Sequence, residues 1–108
     1  LNDVIRVLVL CSQGLSSNIL VRRLSEAARE RGISLEARAR SVWNREEWSP
    51  ADVILLEPQV AHLRSKLTPY AERTGAVLDR VETTAFLTMD GHRVLNGILR
   101  LLTERNGD

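Results

Sequence analysis

Residues 11–18 read Cys-Ser-Gln-Gly-Leu-Ser-Ser-Asn, and they contain the chain's one cysteine. Cys11 closes an aliphatic run, "VLVLC", and opens a loop of small polar residues. Such a loop can do anion chemistry. Gly14 takes backbone angles that other residues resist, and small side chains let successive N–H groups converge on one point. Ser16, Ser17 or Asn18 can cap a following helix, whose free N–H groups and dipole favour an anion. The same field favours a thiolate nucleophile over a thiol. A nest of N–H groups around a reactive sulfur suits a phosphoryl group held on cysteine. Against this stands the ordinary fate of an unpaired cysteine, which is to fill space in a core. The pattern alone leaves both readings open.

The loop also limits the chemistry. A phosphatase of the Cys-x5-Arg kind needs an arginine six residues after the cysteine to clamp the phosphoryl group. That position is Ser17, and residues 11–19 carry no charged side chain. A cradle without arginine lacks a strong clamp for the transition state of hydrolysis. It fits transfer of a phosphoryl group to a partner better than a phosphatase or an arsenate-reductase-like enzyme. A non-catalytic regulatory domain is the third reading.

Other chemistry-bearing residues are scattered. His62 and His92 lack a patterned carboxylate partner and read as surface or capping residues. Trp43 and Trp48 flank "NREE", where they either cover a sheet edge or dock a partner. Asp90 and Gly91 read as a helix cap. Asp52 stands alone and suggests no magnesium site. The pair Arg22–Arg23 reads as a solvated helix face. One cysteine makes no intramolecular disulfide and no zinc framework; neither metal nor cofactor is expected.

These residues need a scaffold. Val4–Leu10 is a nearly continuous apolar run, as expected of a strand covered on both faces. From Ser17 the period changes, with Leu20, Leu24, Ala27 and Ala28 on one helical face and Gly32 as a stop. Residues 33–42 alternate strictly, predicting an edge strand with one wet face. "WNREEWSP" is a connection with about one helical turn at most. Ala51–Leu56 reads as a second buried strand. A short helix through Val60, Leu63 and Leu67 follows, which Pro69 is expected to end or break. "GAVLDRV" is a fourth strand and "ETTAFLTMDG" a loop. Val94, Leu95, Ile98, Leu99 and Leu102 mark a final amphipathic helix. The order β-α-β-β-α-β-α predicts a small open α/β sheet whose ligand site lies at the carboxyl ends of the strands. Cys11 is at such an end.

Composition agrees. The 108 residues, 44% of them hydrophobic, suit one domain with one core. Fifteen basic residues, of which only Lys66 is a lysine, face fourteen acidic ones. No basic run gives nucleic acid a footprint. The apolar runs are strand length, too short to insert in a bilayer, and nothing reads as a secretory signal. A reduced, cytoplasmic domain is expected.

Three segments together resemble a known family. "VLVLCSQGLSSNILVRRL" is similar to the first strand, cysteine loop and first helix of the IIB component of the lactose/cellobiose class of the bacterial phosphoenolpyruvate-dependent sugar phosphotransferase system. "ADVILLEPQVAHL" is similar to that family's third strand and "GPQ" segment, and "MDGHRVL" to the signature before its last helix. The resemblance implies a four-stranded parallel sheet in the order 2-1-3-4, with helices on both faces in three layers, and a single IIB-type domain over residues 1–108. It implies that Cys11 receives a phosphoryl group from a histidine of a IIA partner. Cys11 then passes it to a sugar, such as a β-linked disaccharide, bound by the membrane permease IIC. Ser12, Gln13, Gly14, Leu15, Ser16, Ser17 and Asn18 would line the phosphate, with Pro58 and Gln59 at the rim. The chain departs from the family at Glu57, where glycine is usual, at His62, and at Phe86 and Leu87. A carboxylate at position 57 would oppose a phosphate dianion unless solvated or turned away.

Overall fold

The computed structural model describes residues 4–12 and 15–106, with the side chains of Leu15 and Ser16 left aside. Four parallel strands form one sheet: β1 (Ile5–Cys11), β2 (Leu35–Ser41), β3 (Val53–Leu56) and β4 (Val77–Arg80), in the order β2-β1-β3-β4. Their order follows from their burial. The two continuous apolar runs, β1 and β3, pair at the centre, while β2 has alternate residues half-buried and exposed and forms an edge. The fold class and strand order expected from the sequence are those observed.

Helices cover both faces. On one, α1 (Leu15–Glu30) and α4 (Gly91–Arg105) bury Leu20, Leu24, Leu95 and Ile98 against Val9 and Leu55. On the other, α2 (Arg64–Thr74), the 3-10 turn Pro58–Leu63 before it and Trp48 cover Leu8, Leu10, Ile54 and Leu56. Alternation along each strand therefore feeds two separate cores. The helices α1 and α4 cross closely at Gly91, where an added Cβ would collide with the Arg23 carbonyl. The "MDG" glycine is thus a packing requirement. Asp90 caps α4, its Oδ1 accepting from the Arg93 N–H at 3.1 Å, as expected.

Three local expectations give way. Pro69 does not end the second helix; α2 runs through it to Thr74. Proline there costs the backbone bond to the Ser65 carbonyl. Ser65 and Pro69 are both exposed, so water can take that carbonyl, while Leu67 and Ala71 anchor the opposite face. The stretch read as a loop contains a short helix, α3 (Thr83–Thr88), held by fully buried Ala85. Finally, α1 starts at Leu15, so Ser16, Ser17 and Asn18 lie within its first turn and do not cap it. The turn at "NREEW" is a 3-10 turn, Arg45–Glu47.

Candidate functional site

Cys11 is the last residue of β1, a central strand, and only 3% exposed. Its backbone is fixed by the Val42 N–H, which donates to the Cys11 carbonyl at 2.8 Å. Its thiol donates to the Arg40 carbonyl oxygen at 3.5 Å, a contact that needs the sulfur protonated. Helix α1 begins four residues on, at Leu15, and the first four N–H groups of a helix have no partner within it.

Ser17 and Glu57 stand out beside it. Ser17 is fully buried in the first turn of α1 and Glu57 is 1% exposed at the end of β3. Neither the Ser17 hydroxyl nor either Glu57 carboxyl oxygen closes a hydrogen bond with a described residue. Glu57 is next to β1, its N–H donating to the Leu10 carbonyl at 3.0 Å. Strand alternation puts it on the side of Val53 and Leu55, as it puts Cys11 on the side of Val7 and Val9, which is the α1 side. Burial pushes the Glu57 carboxyl above its ordinary range, and the approaching Ser17 hydroxyl offsets part of that rise. The Glu57 carboxyl, which would oppose a phosphate dianion unless solvated or turned away, is enclosed.

The remaining expected loop residues divide. Ser12 is half-buried and Asn18 is exposed. Gln13 and Gly14 lie outside the described residues, as do the side chains of Leu15 and Ser16. Pro58 is half-buried and Gln59 exposed, both directly after Glu57. The histidines are elsewhere. His62 is exposed, and exposed His92 donates through Nε2 to Glu30 at 3.0 Å, tying α4 to α1. The tryptophans separate. Trp48 is buried, its indole N–H donating to the Ser41 carbonyl at 2.9 Å, whereas Trp43 stands 65% exposed. A cavity of 450 Å³ between β4 and α4 is lined by Arg80, Glu82, Arg93 and Arg100, and by neither Cys11 nor Glu57.

Two signals for the buried polar pair were available. Ser17 precedes Leu20 by three positions and Leu24 by seven, so it lies on the apolar stripe of α1. Glu57 keeps the parity of Val53 and Leu55.

Fold and site geometry together define an open α/β domain with a buried cysteine at the carboxyl end of a central strand. Solved structures share this fold. The lactose-specific IIB domain of the phosphoenolpyruvate:carbohydrate phosphotransferase system (PTS) from Streptococcus pneumoniae aligns over 91% of this chain and 97% of its own, with TM-score 0.80 and 22% identity. The cellobiose-specific IIB protein of Borrelia burgdorferi aligns over 95% of each chain, with TM-score 0.74 and 24% identity.

In sequence, the family model for the lactose/cellobiose-specific IIB subunit of the PTS matches residues 6–97. The oligo-beta-mannoside-specific EIIB component of Bacillus subtilis is 27% identical over 93% of this chain and 98% of its own length. The galactose-specific EIIB component of Lactococcus lactis subsp. cremoris is 33% identical over 79% of this chain and 84% of its own. The chain belongs to the lactose/cellobiose-specific IIB family and is a phosphotransferase component of the PTS. Among the described residues, no helix is long and apolar enough to cross a membrane.

Proposed function

We propose that this chain is a cytoplasmic phosphocarrier that takes a phosphoryl group from a IIA histidine onto Cys11 and delivers it to a sugar bound by a IIC permease. One observation supports this above the others: the chain's one cysteine ends a central strand four residues before the start of α1, with, on the same side, a buried hydroxyl, Ser17, that has no partner among the described residues.

In the first step the Cys11 sulfur attacks phosphorus in line. The S–P bond forms, the N–P bond breaks, and the thiol proton goes to the departing imidazole. The second step reverses the roles. A sugar hydroxyl oxygen attacks phosphorus, the S–P bond breaks, and the hydroxyl proton passes to sulfur. Positioning does most of the catalysis, and N–H groups at the start of α1 stabilise the equatorial oxygens. Residues 12–18 line the group in this reading, with Pro58 and Gln59 at its rim. The galactose-, cellobiose- and oligo-beta-mannoside-specific relatives point to a saccharide acceptor, and the family's name to a β-linked disaccharide.

The test is intact mass after incubation with phosphoenolpyruvate, the general PTS proteins and a IIA protein. Wild type should gain one phosphoryl group and Cys11→Ser none. Steady release of inorganic phosphate from a phosphate ester would instead favour the phosphatase reading. No gain with any IIA would favour a regulatory domain.

A further inference from the structure

Glu57 takes no part in the transfer just described, yet it occupies the same end of the sheet. It is 1% exposed and both carboxyl oxygens lack a partner among the described residues. Its backbone is bonded to Leu10, the residue before Cys11. Ser17, also buried and without a partner among the described residues, approaches it from α1. Strand parity thus puts thiol and carboxyl on the α1 side of the sheet, where the Ser17 hydroxyl approaches Glu57. The charged residues toward this end are Arg40 on β2, Arg80 on β4, Glu82 before α3, and Asp90 and Arg93 at the start of α4. On the turn that follows Glu57, His62 is exposed. Arg93 is engaged elsewhere, by two bonds of 2.6 and 2.7 Å to Glu82.

An ionised carboxyl here would face a phosphate dianion with no described cation to screen it. A neutral carboxyl has a proton to give, and the one described group that approaches it, the Ser17 hydroxyl, closes no hydrogen bond with it. We propose that Glu57 is a protonated hydrogen-bond donor to the phosphoryl group on Cys11, so that Cys11 is charged only while Glu57 keeps its proton. This rests on the phosphocarrier reading. It removes the apparent conflict between an acidic residue and an anion site, because the acid acts as a neutral donor alongside Ser17. No bond to Glu57 forms or breaks; its proton stays on the carboxyl oxygen and is shared with a phosphoryl oxygen.

The consequence is a linked proton. Where Glu57 is already protonated, phosphorylation takes up no proton at this site. Where it is ionised, one must be taken up, and the equilibrium then falls about tenfold per pH unit. The experiment measures the equilibrium phosphorylated fraction by intact mass, with phosphoenolpyruvate, the general PTS proteins and a IIA protein, from mildly acidic to alkaline pH. Wild type is compared with Glu57→Gln, which donates without titrating, and Glu57→Ala, which does neither. Because the donor proteins are common to all three, ratios between chains cancel their own titrations. The ratio of wild type to Glu57→Gln should be constant in acid and fall with rising pH. Glu57→Ala should be less phosphorylated than Glu57→Gln throughout. A pH-independent ratio, or an alanine variant equal to the glutamine variant, would overturn the inference alone. Absence of a phosphoryl increment on every chain would overturn the carrier reading and this inference with it.

Discussion

Asp52 and Glu57 bracket the same four-residue strand and meet opposite fates. At the amino end of β3, Asp52 is half-buried and its Oδ2 accepts from the Arg6 N–H at 2.9 Å. At the carboxyl end Glu57 is enclosed with neither oxygen bonded to a described residue. Asp90 resembles Asp52, spent on capping α4. The difference separates two uses of a carboxyl. Asp52 and Asp90 complete the backbone hydrogen bonding of the fold, whereas Glu57 is held at a cost beside the cysteine. An unpartnered buried polar group is retained against the grain of stability, and here it lies where the chemistry is expected.

That contrast can be broken by substitution. Glu57→Met, close in shape and without polar atoms, should stabilise the chain by about 1–3 kcal/mol, the ordinary cost of an unsatisfied buried group; a loss of stability in urea denaturation would show that Glu57 is satisfied after all. The gain should depend on pH. Burial raises the Glu57 carboxyl of the folded chain above the ordinary value of 4.5 near which the unfolded chain sheds its proton. Wild-type stability is therefore favoured below that value, declines as pH rises from it through the raised folded value, and is level above both. The methionine variant should lack this component, so its advantage should widen from acid toward neutral pH. Asp90→Ala should act in the other direction, costing about 1 kcal/mol through the lost cap. Smallest should be Asp52→Ala, at about 0.5–1 kcal/mol for one accessible hydrogen bond. If all three substitutions destabilised, the distinction between the carboxyls would fail.

How much of this could be read in advance follows the range of each interaction. The two central strands, the edge strand and the stripe of α1 depend on periodicity along one segment, and they fall where the alternation of Leu35, Ala37 and Ala39 or the spacing of Leu20 and Leu24 puts them. Cys11 was legible for the same reason, as the end of an aliphatic run. Missed features depend on contacts between segments. Ala85 makes a helix of a threonine-rich stretch because it finds the α4 side of the core. Pro69 is tolerated because its side of α2 faces water. The burial of Glu57 needs β1 on one flank and α1 above, neither of which its neighbours in sequence reveal. Gly91 reads as a cap residue, yet it is required by the carbonyl of Arg23, far away in sequence.

The central claim is that Cys11 carries the phosphoryl group, and phosphorus NMR of the chain charged by a IIA protein tests it most directly. A single resonance characteristic of phosphorus on sulfur, absent from Cys11→Ser, is the predicted result. A resonance of phosphorus on an imidazole nitrogen, at His62 or His92, persisting in Cys11→Ser would contradict it.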